Sequence, residues 1–491
     1  MTKWVLRCRE LAATVDAEQA FRALFGAGRR AYWLDSSMVG GPARYSVLGE
    51  CAGPHADVLI DQVGPRPTPP DPDPGDAADP GDSGDPVDSV YDRLERRLAE
   101  RRVDVPAELP AELACGYVGY FGYELRAHDG APSPHRSELP DAYWMAATRY
   151  LALDHLAGRA WLVELGTADT PASWLDDAAT TLAGLPATSR TDRPNPGLPN
   201  PSTPEPDPEP WLARPRETYL RDVRHCLDRL RAGDSYEVCL TNTVEMPFAG
   251  TPFEAFEAFE AYCRLRRRNP APYAAYLRLD DLHVLSASPE RFLRVDAQGY
   301  AESRPIKGTA PRGDEPVADD LARKELSAST KAQAENLMIV DLVRNDLGRV
   351  CEPGSISVPA FCSVESYATV HQLVSTVRGR LRSDVTAVRA ARACFPPGSM
   401  TGAPKLSTMR ILDRLETRPR GIYSGALGHF GLAGTADLSV VIRTAVIHRG
   451  RLTVGAGGAI VLDSDPADEW DEMLMKAAVP LRALVVPPCD E

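Results

Sequence analysis

The chain has 491 residues, 43% hydrophobic and 25% charged, which exceeds one ordinary domain and allows a large packed core. Lys and Arg number 55 against 69 Asp and Glu, and the formal charge of -14 disfavours nucleic acid and anionic membranes as partners. No apolar run reaches the ~18 residues of a membrane span, and the charged start MTKWVLRCRELAATVDAEQ lacks the apolar stretch of a signal peptide. A soluble cytoplasmic protein is expected. Ten cysteines without a CxxC pair or His-rich spacing read as reduced core thiols, not a zinc site or disulfide scaffold.

In chain order, helices are predicted near Ala17 to Phe25 and near Val90 to Arg101, the second following an Asp-Ser cap signal. RAYWLDSS, RYSVLGE, CGYVGYFGYEL and RAWLVELG, rich in aromatic and branched residues between turn signals, read as strands. Residues 61–90 alternate Asp with Pro and Gly and hold about half the net charge, the composition of a disordered acidic loop. A second Pro-rich stretch, 186–210, reads as an extended linker. The domain boundary falls there, with a mixed α and β domain over 1–185 and a second domain over 211–488.

Beyond the linker, Tyr219, Leu220, Val223, Leu227 and Leu230 share one face of a helix from Glu217 to Ala232 that ends at Gly233. A helix from Pro252 to Arg268 follows, then strands at APYAAYLRL and HVLSASPERFLRV. A third helix spans Lys331 to Leu347, and VHQLVS at 370–375 reads as a helix end. Strands around Tyr423 to Phe430, Leu438 to His448 and Leu452 to Gly457 precede a last helix from Pro466 to Val485, which opens with Pro and acidic residues.

Four stretches exceed what packing needs: PIKGTAPRG from Pro305, AENLMIVDLVRND from Ala334, PGSMTGAPK from Pro397 and DEWDEMLMK from Asp468. Glu469, Glu472 and Lys476 stand at i, i+3 and i+7 on one helical face, and Glu335 projects similarly from the third helix. Two such helices suit a Mg²⁺ ion that keeps waters and bridges to an anionic substrate; the same spacing also describes a solvated face with a Glu472–Lys476 pair. GSMTGAPK lacks the G-x-x-x-x-G-K-[ST] spacing of a nucleotide loop, leaving backbone donors for a carboxylate or a plain tight turn. Lys307 is either a surface charge or, if desolvated beside a carboxylate such as Glu290, a nucleophile.

Together these stretches resemble the chorismate-utilising enzymes, the family of anthranilate, aminodeoxychorismate, isochorismate and salicylate synthases. The likeness is nearly continuous from about Tyr219 to Leu484 and weaker at YWLDSS, RYSVLGE and GYVGYFGYEL. It implies an α/β (α+β) fold of the anthranilate synthase component I type, with large stacked antiparallel sheets, helices outside and the active site between the sheets. By motif, Glu335 and Glu472 resemble the Mg²⁺-binding carboxylates, with Glu469 as their neighbour. Arg443, Tyr423 and the backbone of Gly457 and Gly458 resemble the grip on the enolpyruvyl carboxylate. Lys476 and Thr309 would line the same pocket, and Glu290 resembles the catalytic acid/base.

The PIKGT form of Lys307 resembles the aminodeoxychorismate branch, where lysine attacks C2 of chorismate as the 4-hydroxyl leaves and ammonia then adds at C4. Gln372 stands where anthranilate synthases carry His before LVS, which disfavours pyruvate elimination. Glu237 stands where isochorismate synthases carry the lysine that activates water. Leu34-Asp-Ser-Ser37 departs from the LLES-like segment of tryptophan feedback, so none is expected. No cysteine lies in a G-x-C-x-G-x-Q setting, so the resemblance implies a separate glutamine amidotransferase subunit supplying ammonia. The competing readings are an anthranilate synthase and a non-catalytic chorismate-binding subunit.

Overall fold

A computed structural model describes every residue except 1–2, 13–14, 37, 39–43, 66–87, 187–206, 249–253, 314, 368–369 and 485–491. The first part of the chain runs β1 (Trp4–Glu10), α1 (Ala17–Phe25), β2 (Arg30–Asp35), β3 (Tyr45–Glu50), β4 (Val58–Asp61) and α2 (Val90–Glu100). It continues through β5 (Cys115–Phe121), β6 (Ala142–Ala146), β7 (Arg149–Asp154), β8 (Arg159–Thr167) and α3 (Ser173–Ala183). The second part runs α4 (Arg216–Ala232), β9 (Glu237–Pro247), α5 (Glu254–Arg268), β10 (Tyr273–Leu279), β11 (Leu282–Ser288), β12 (Arg291–Val295), β13 (Tyr300–Arg304) and β14 (Ile306–Pro311). Next come α6 (Pro316–Ala328), α7 (Thr330–Gly348), β15 (Ser357–Ser366), β16 (Val370–Arg380), α8 (Ala387–Cys394), β17 (Gly402–Ala403) and α9 (Lys405–Leu415). The chain closes with β18 (Ala426–Gly431), β19 (Ala436–Val440), β20 (Thr444–His448), β21 (Arg451–Ile460) and α10 (Pro466–Leu484).

Local signals explain most helix ends. Asp16 caps α1 by accepting from the Gln19 amide, and Ser89 and Asp92 form a reciprocal capping box on α2. Gly233 stops α4 at φ +82°, a conformation that costs a residue without a Cβ nothing.

Among the described residues the strands form an eleven-stranded sheet, β1-β8-β7-β3-β2-β10-β11-β20-β21-β9-β17, and a ten-stranded one, β14-β16-β13-β12-β19-β18-β5-β6-β4 with β15 against β16. The pairings are antiparallel. Alternation along β2 sorts side chains to two cores: Tyr32 belongs to the core shared by both sheets, Trp33 to the core under α1, α4, α5 and α10. The ten-stranded sheet is covered by α2, α7 and α8 through Leu94, Ile339 and Val388. A sheet apolar on both faces is buried on both faces, which is why these strands read as apolar runs and not as strict alternation. The stacked antiparallel sheets with outer helices are the fold expected from the sequence.

The Pro-rich stretch divides the sequence but not the hydrogen bonding. Trp33 of β2 pairs with Tyr276 of β10, and Gly119 of β5 with Gly428 of β18, so each sheet draws strands from both sides. Most of the expected linker, and most of the expected acidic loop, lie outside the described residues. Three expectations are corrected: VHQLVS is not a helix end but the start of strand β16, held between β14 and β15, while HVLSASPERFLRV and Leu438 to His448 each divide into two strands, β11 with β12 and β19 with β20, that lie in different sheets. Between the sheets a cavity of about 370 Å³ is lined by Leu34, Asp35 and Ser36 together with Tyr273, Arg291 and His429.

Candidate active site

Lys307 lies on β14, at one end of the ten-stranded sheet, and Glu237 opens β9, next to the end of the eleven-stranded sheet. Their side chains meet at 2.5 Å from Nζ to Oε1, so one ion pair ties the two sheets together. Glu237 is fully buried, the lysine side chain is only 11% exposed, and among the described residues the second carboxylate oxygen of Glu237 has no hydrogen-bond partner. Burial alone would lower the pKa of Lys307. Attraction to Glu237, then Glu335, together with the hydrogen bond to Glu237, outweighs it and holds the ammonium above its ordinary range. The sequence reading gave the partnership to Glu290; Glu237 holds the direct contact.

Glu290 sits where the chain passes from β11 in one sheet to β12 in the other, and it is 6% exposed. Burial pushes its pKa up to about 7, against a hydrogen bond from Ser399 and attraction to Lys307, with repulsion from Glu237 adding to the rise. It is therefore a group that can hold a proton near neutrality.

Arg443 occupies the opposite crossover, from β19 to β20, with φ +53°. Burial lowers its pKa, against attraction to Tyr423 and Glu472. Among the described residues its guanidinium forms no ion pair and no side-chain hydrogen bond, which makes this half-buried group a receptor for an anion. Tyr423 packs flat on β21: a Cβ at Gly455 would lie 2.2 Å from its ring. On the same strand Gly457 faces Thr241 of β9, and its carbonyl accepts from Lys476 Nζ at 3.0 Å. A Cβ on Gly458 would lie 2.8 Å from Glu469 Oε2, so that carboxylate rests against the strand.

Three carboxylates gather from α7 and α10. Glu335 and Glu469 have raised pKa values, caused first by burial, and Glu472 adds like-charge repulsion to both. For Glu472 burial acts in the same direction, but Lys476 at 2.6 Å, with Lys331 and Lys307, overcomes it and lowers its pKa. Ser464 donates to one oxygen of Glu469 at 2.6 Å, and the other oxygen is buried with no partner among the described residues. Among the described residues no three His, Cys, Asp or Glu side chains form a ready-made metal cage. Crowded carboxylates with an orphaned oxygen still fit Mg²⁺, which takes one or two protein carboxylates and fills its shell with water and substrate.

Lys307, Glu290, Glu335, Glu469, Glu472, Lys476, Tyr423, Arg443, Gly457 and Gly458 thus converge where β9, β14, β21, α7 and α10 meet. Thr309 stands apart: it is exposed on β14, paired with Gln372 of β16. Lys405 of GAPK faces away from the cluster's chemistry, bound to Asp346 at 2.7 Å and to the carbonyls of Cys394 and Pro396. The same motif does position the site, since Gly402 lies against the Glu237 backbone and Ser399 reaches Glu290. Sequence reasoning missed Glu237 as the lysine's partner, Ser399 as the donor to Glu290, and Lys331 as a cation acting on all three clustered carboxylates.

Comparison with known proteins agrees with this geometry. Residues 76–482 match the family described as chorismate binding enzyme. Aminodeoxychorismate synthase from Streptomyces pristinaespiralis is 49% identical over 98% of this chain, and the chain spans 65% of that relative's length. Aminodeoxychorismate synthase component 1 from Klebsiella aerogenes is 39% identical, over 74% of this chain and 75% of the relative. Anthranilate synthase component I from Streptococcus pneumoniae superposes with a TM-score of 0.69 at 26% identity, covering 89% of this chain and 92% of its own. The match covers the whole convergence of β9, β14, β21, α7 and α10, and the chain belongs to the chorismate binding enzymes.

Proposed function

We propose that the protein converts chorismate and ammonia to 4-amino-4-deoxychorismate, with Lys307 as the nucleophile. The observation that carries this reading is Lys307 itself, a nearly buried amine in the same charged cluster as the unpaired guanidinium of Arg443. Arg443, the Tyr423 hydroxyl and the backbone around Gly457 and Gly458 hold the enolpyruvyl carboxylate, with Lys476 lining the same pocket. Thr309, two residues beyond the nucleophile, is exposed and stands apart from this cluster.

Lys307 forms a bond from Nζ to C2 of the ring as the C4–O bond breaks, and Glu290 donates the proton with which the hydroxyl departs as water. Ammonia then adds at C4 and the C2–N bond breaks, leaving the enolpyruvyl group in place. Glu335 and Glu472, with Glu469 beside them, are the residues that would hold Mg²⁺, which when bound neutralises the ring carboxylate of the substrate. A glutamine amidotransferase is the proposed source of ammonia, and free ammonium replaces it in vitro.

Incubation with chorismate, Mg²⁺ and ammonium tests the reading by the mass and fluorescence of the product. A product that keeps the pyruvyl group and gains nitrogen at C4 is expected. Anthranilate in its place would overturn it.

A further inference from the structure

We infer that Glu237 is the proton acceptor that arms Lys307, so that the site works as a carboxylate–lysine dyad with Glu290 reserved as the acid. The inference rests on the reading of Lys307 as nucleophile and assigns a role to a residue that reading leaves unused. A protonated amine has no lone pair, so some group must take its proton before attack. Glu237 is the carboxylate within hydrogen-bond reach of Nζ, at 2.5 Å, and it is fully buried. Among the described residues its other oxygen is buried with no hydrogen-bond partner.

The surrounding charges divide the labour. Lys307 faces Glu237 and Cys239 from β9 and Glu335 from α7, and it acts electrostatically on Glu290 at the β11–β12 crossover and on Glu472 of α10. Glu335 and Glu472 belong to the carboxylates assigned to the cation, and Glu290 is engaged by Ser399. That leaves Glu237 for the amine. Gly402 fixes it in place: at φ +136°, a Cβ there would lie 1.9 Å from the Glu237 carbonyl oxygen, so the loop can close on β9 only with glycine at this position.

The protons balance through the cycle. Lys307 passes a proton to Glu237 and attacks C2, while Glu290 protonates the departing hydroxyl and becomes a carboxylate. When ammonia displaces the lysine, the new C4 ammonium returns a proton to Glu290, and Glu237 returns its proton to the released amine. The sum is chorismate plus ammonia giving aminodeoxychorismate plus water.

The experiment compares amination rates of wild type and Glu237→Gln at each pH between about 6 and 9, so that ammonia speciation cancels in the ratio. The variant is expected to be roughly 10²–10⁴-fold slower near neutrality. The ratio should shrink as pH rises, because a lysine without its carboxylate must lose its proton to solvent. A ratio that stays constant across pH, or a variant as fast as wild type, overturns the inference. Glu237→Asp keeps the buried charge and the base; its ratio to wild type should not change with pH, and a drifting ratio there also overturns it. If wild type itself makes no 4-amino product, the reading under Proposed function fails first, whatever the variants do.

Discussion

Arg443 shows how much one side chain tells about the ligand. A half-buried guanidinium with no anionic partner among the described residues is partly desolvated, and a carboxylate ligand compensates that cost. Replacing it with Gln removes a charge-assisted hydrogen bond of about 1.5–3 kcal/mol. An increase of roughly 10- to 150-fold in KM for chorismate is expected from steady-state kinetics, with the thermal midpoint little changed. Lys307→Ala has a different signature. It is expected to abolish the proposed amination, and to leave Glu237 as an unpaired buried charge at a cost of about 3–5 kcal/mol. Adding Glu237→Gln to that variant should restore part of the lost stability in urea unfolding without restoring activity. For the proposed reaction, Glu290 is expected to set the pH dependence. As an acid with its pKa pushed up to about 7, it donates only while protonated, so the wild-type rate normalised to free ammonia should fall as pH rises through about 7. Glu290→Gln should be slow and should lack that falling limb.

At the scale of elements, the site is assembled by strands whose close approach depends on glycine. Gly455 of β21 is the floor on which Tyr423 lies, and Gly455→Ala drives a methyl into the ring at 2.2 Å. Because the neighbour is a buried aromatic and not the tip of a flexible chain, the tyrosine must move. A loss of about 1–3 kcal/mol in stability is expected together with weaker chorismate binding, measurable by thermal unfolding and titration. The strand identity of β16 has a similar consequence. His371 is buried there, hydrogen-bonded to Ser366 of β15 at 2.7 Å and to Asp319 of α6 at 3.0 Å. Arg312, following β14, grips the same aspartate through two hydrogen bonds. These contacts clamp α6 and β15 against the strand that presents Lys307, so the motif serves the site by holding β14 in register.

At the scale of the whole molecule, the two parts of the chain are joined by buried polar contacts as well as by shared sheets. Arg126 meets Asp413 at 2.5 Å with both side chains nearly inaccessible, and both oxygens of Glu124 accept backbone amides of Arg420 and Gly421 at 2.9 Å. Arg126→Met is therefore expected to cost about 3–5 kcal/mol by stranding Asp413. Its unfolding should also remain a single transition by circular dichroism and tryptophan fluorescence, because neither part has a sheet of its own. A mid-transition in which only one part melts would contradict the shared architecture. Among the described residues no helix is long and apolar enough to cross a membrane.

The sequence by itself determined the elements whose signals are local. Helix α1 begins and ends where its cap and periodicity place it, α4 stops at Gly233, and α10 starts at its Pro and acidic turn, because capping and amphipathicity act within a few residues. The motifs likewise named Lys307, Arg443 and the carboxylates of α7 and α10, since those residue types are rarely needed for packing. Strand β16 was misread because a half-apolar run of that length has no decisive period. Only the tertiary structure decided which carboxylate stands beside the lysine. Glu290 is 17 positions from Lys307 and Glu237 is 70, yet β14 at one end of its sheet and β9 next to the end of the other bring the distant pair into contact. Sheet order and register are set by the burial of both faces at once, a property of the assembled cores that no short stretch of sequence contains.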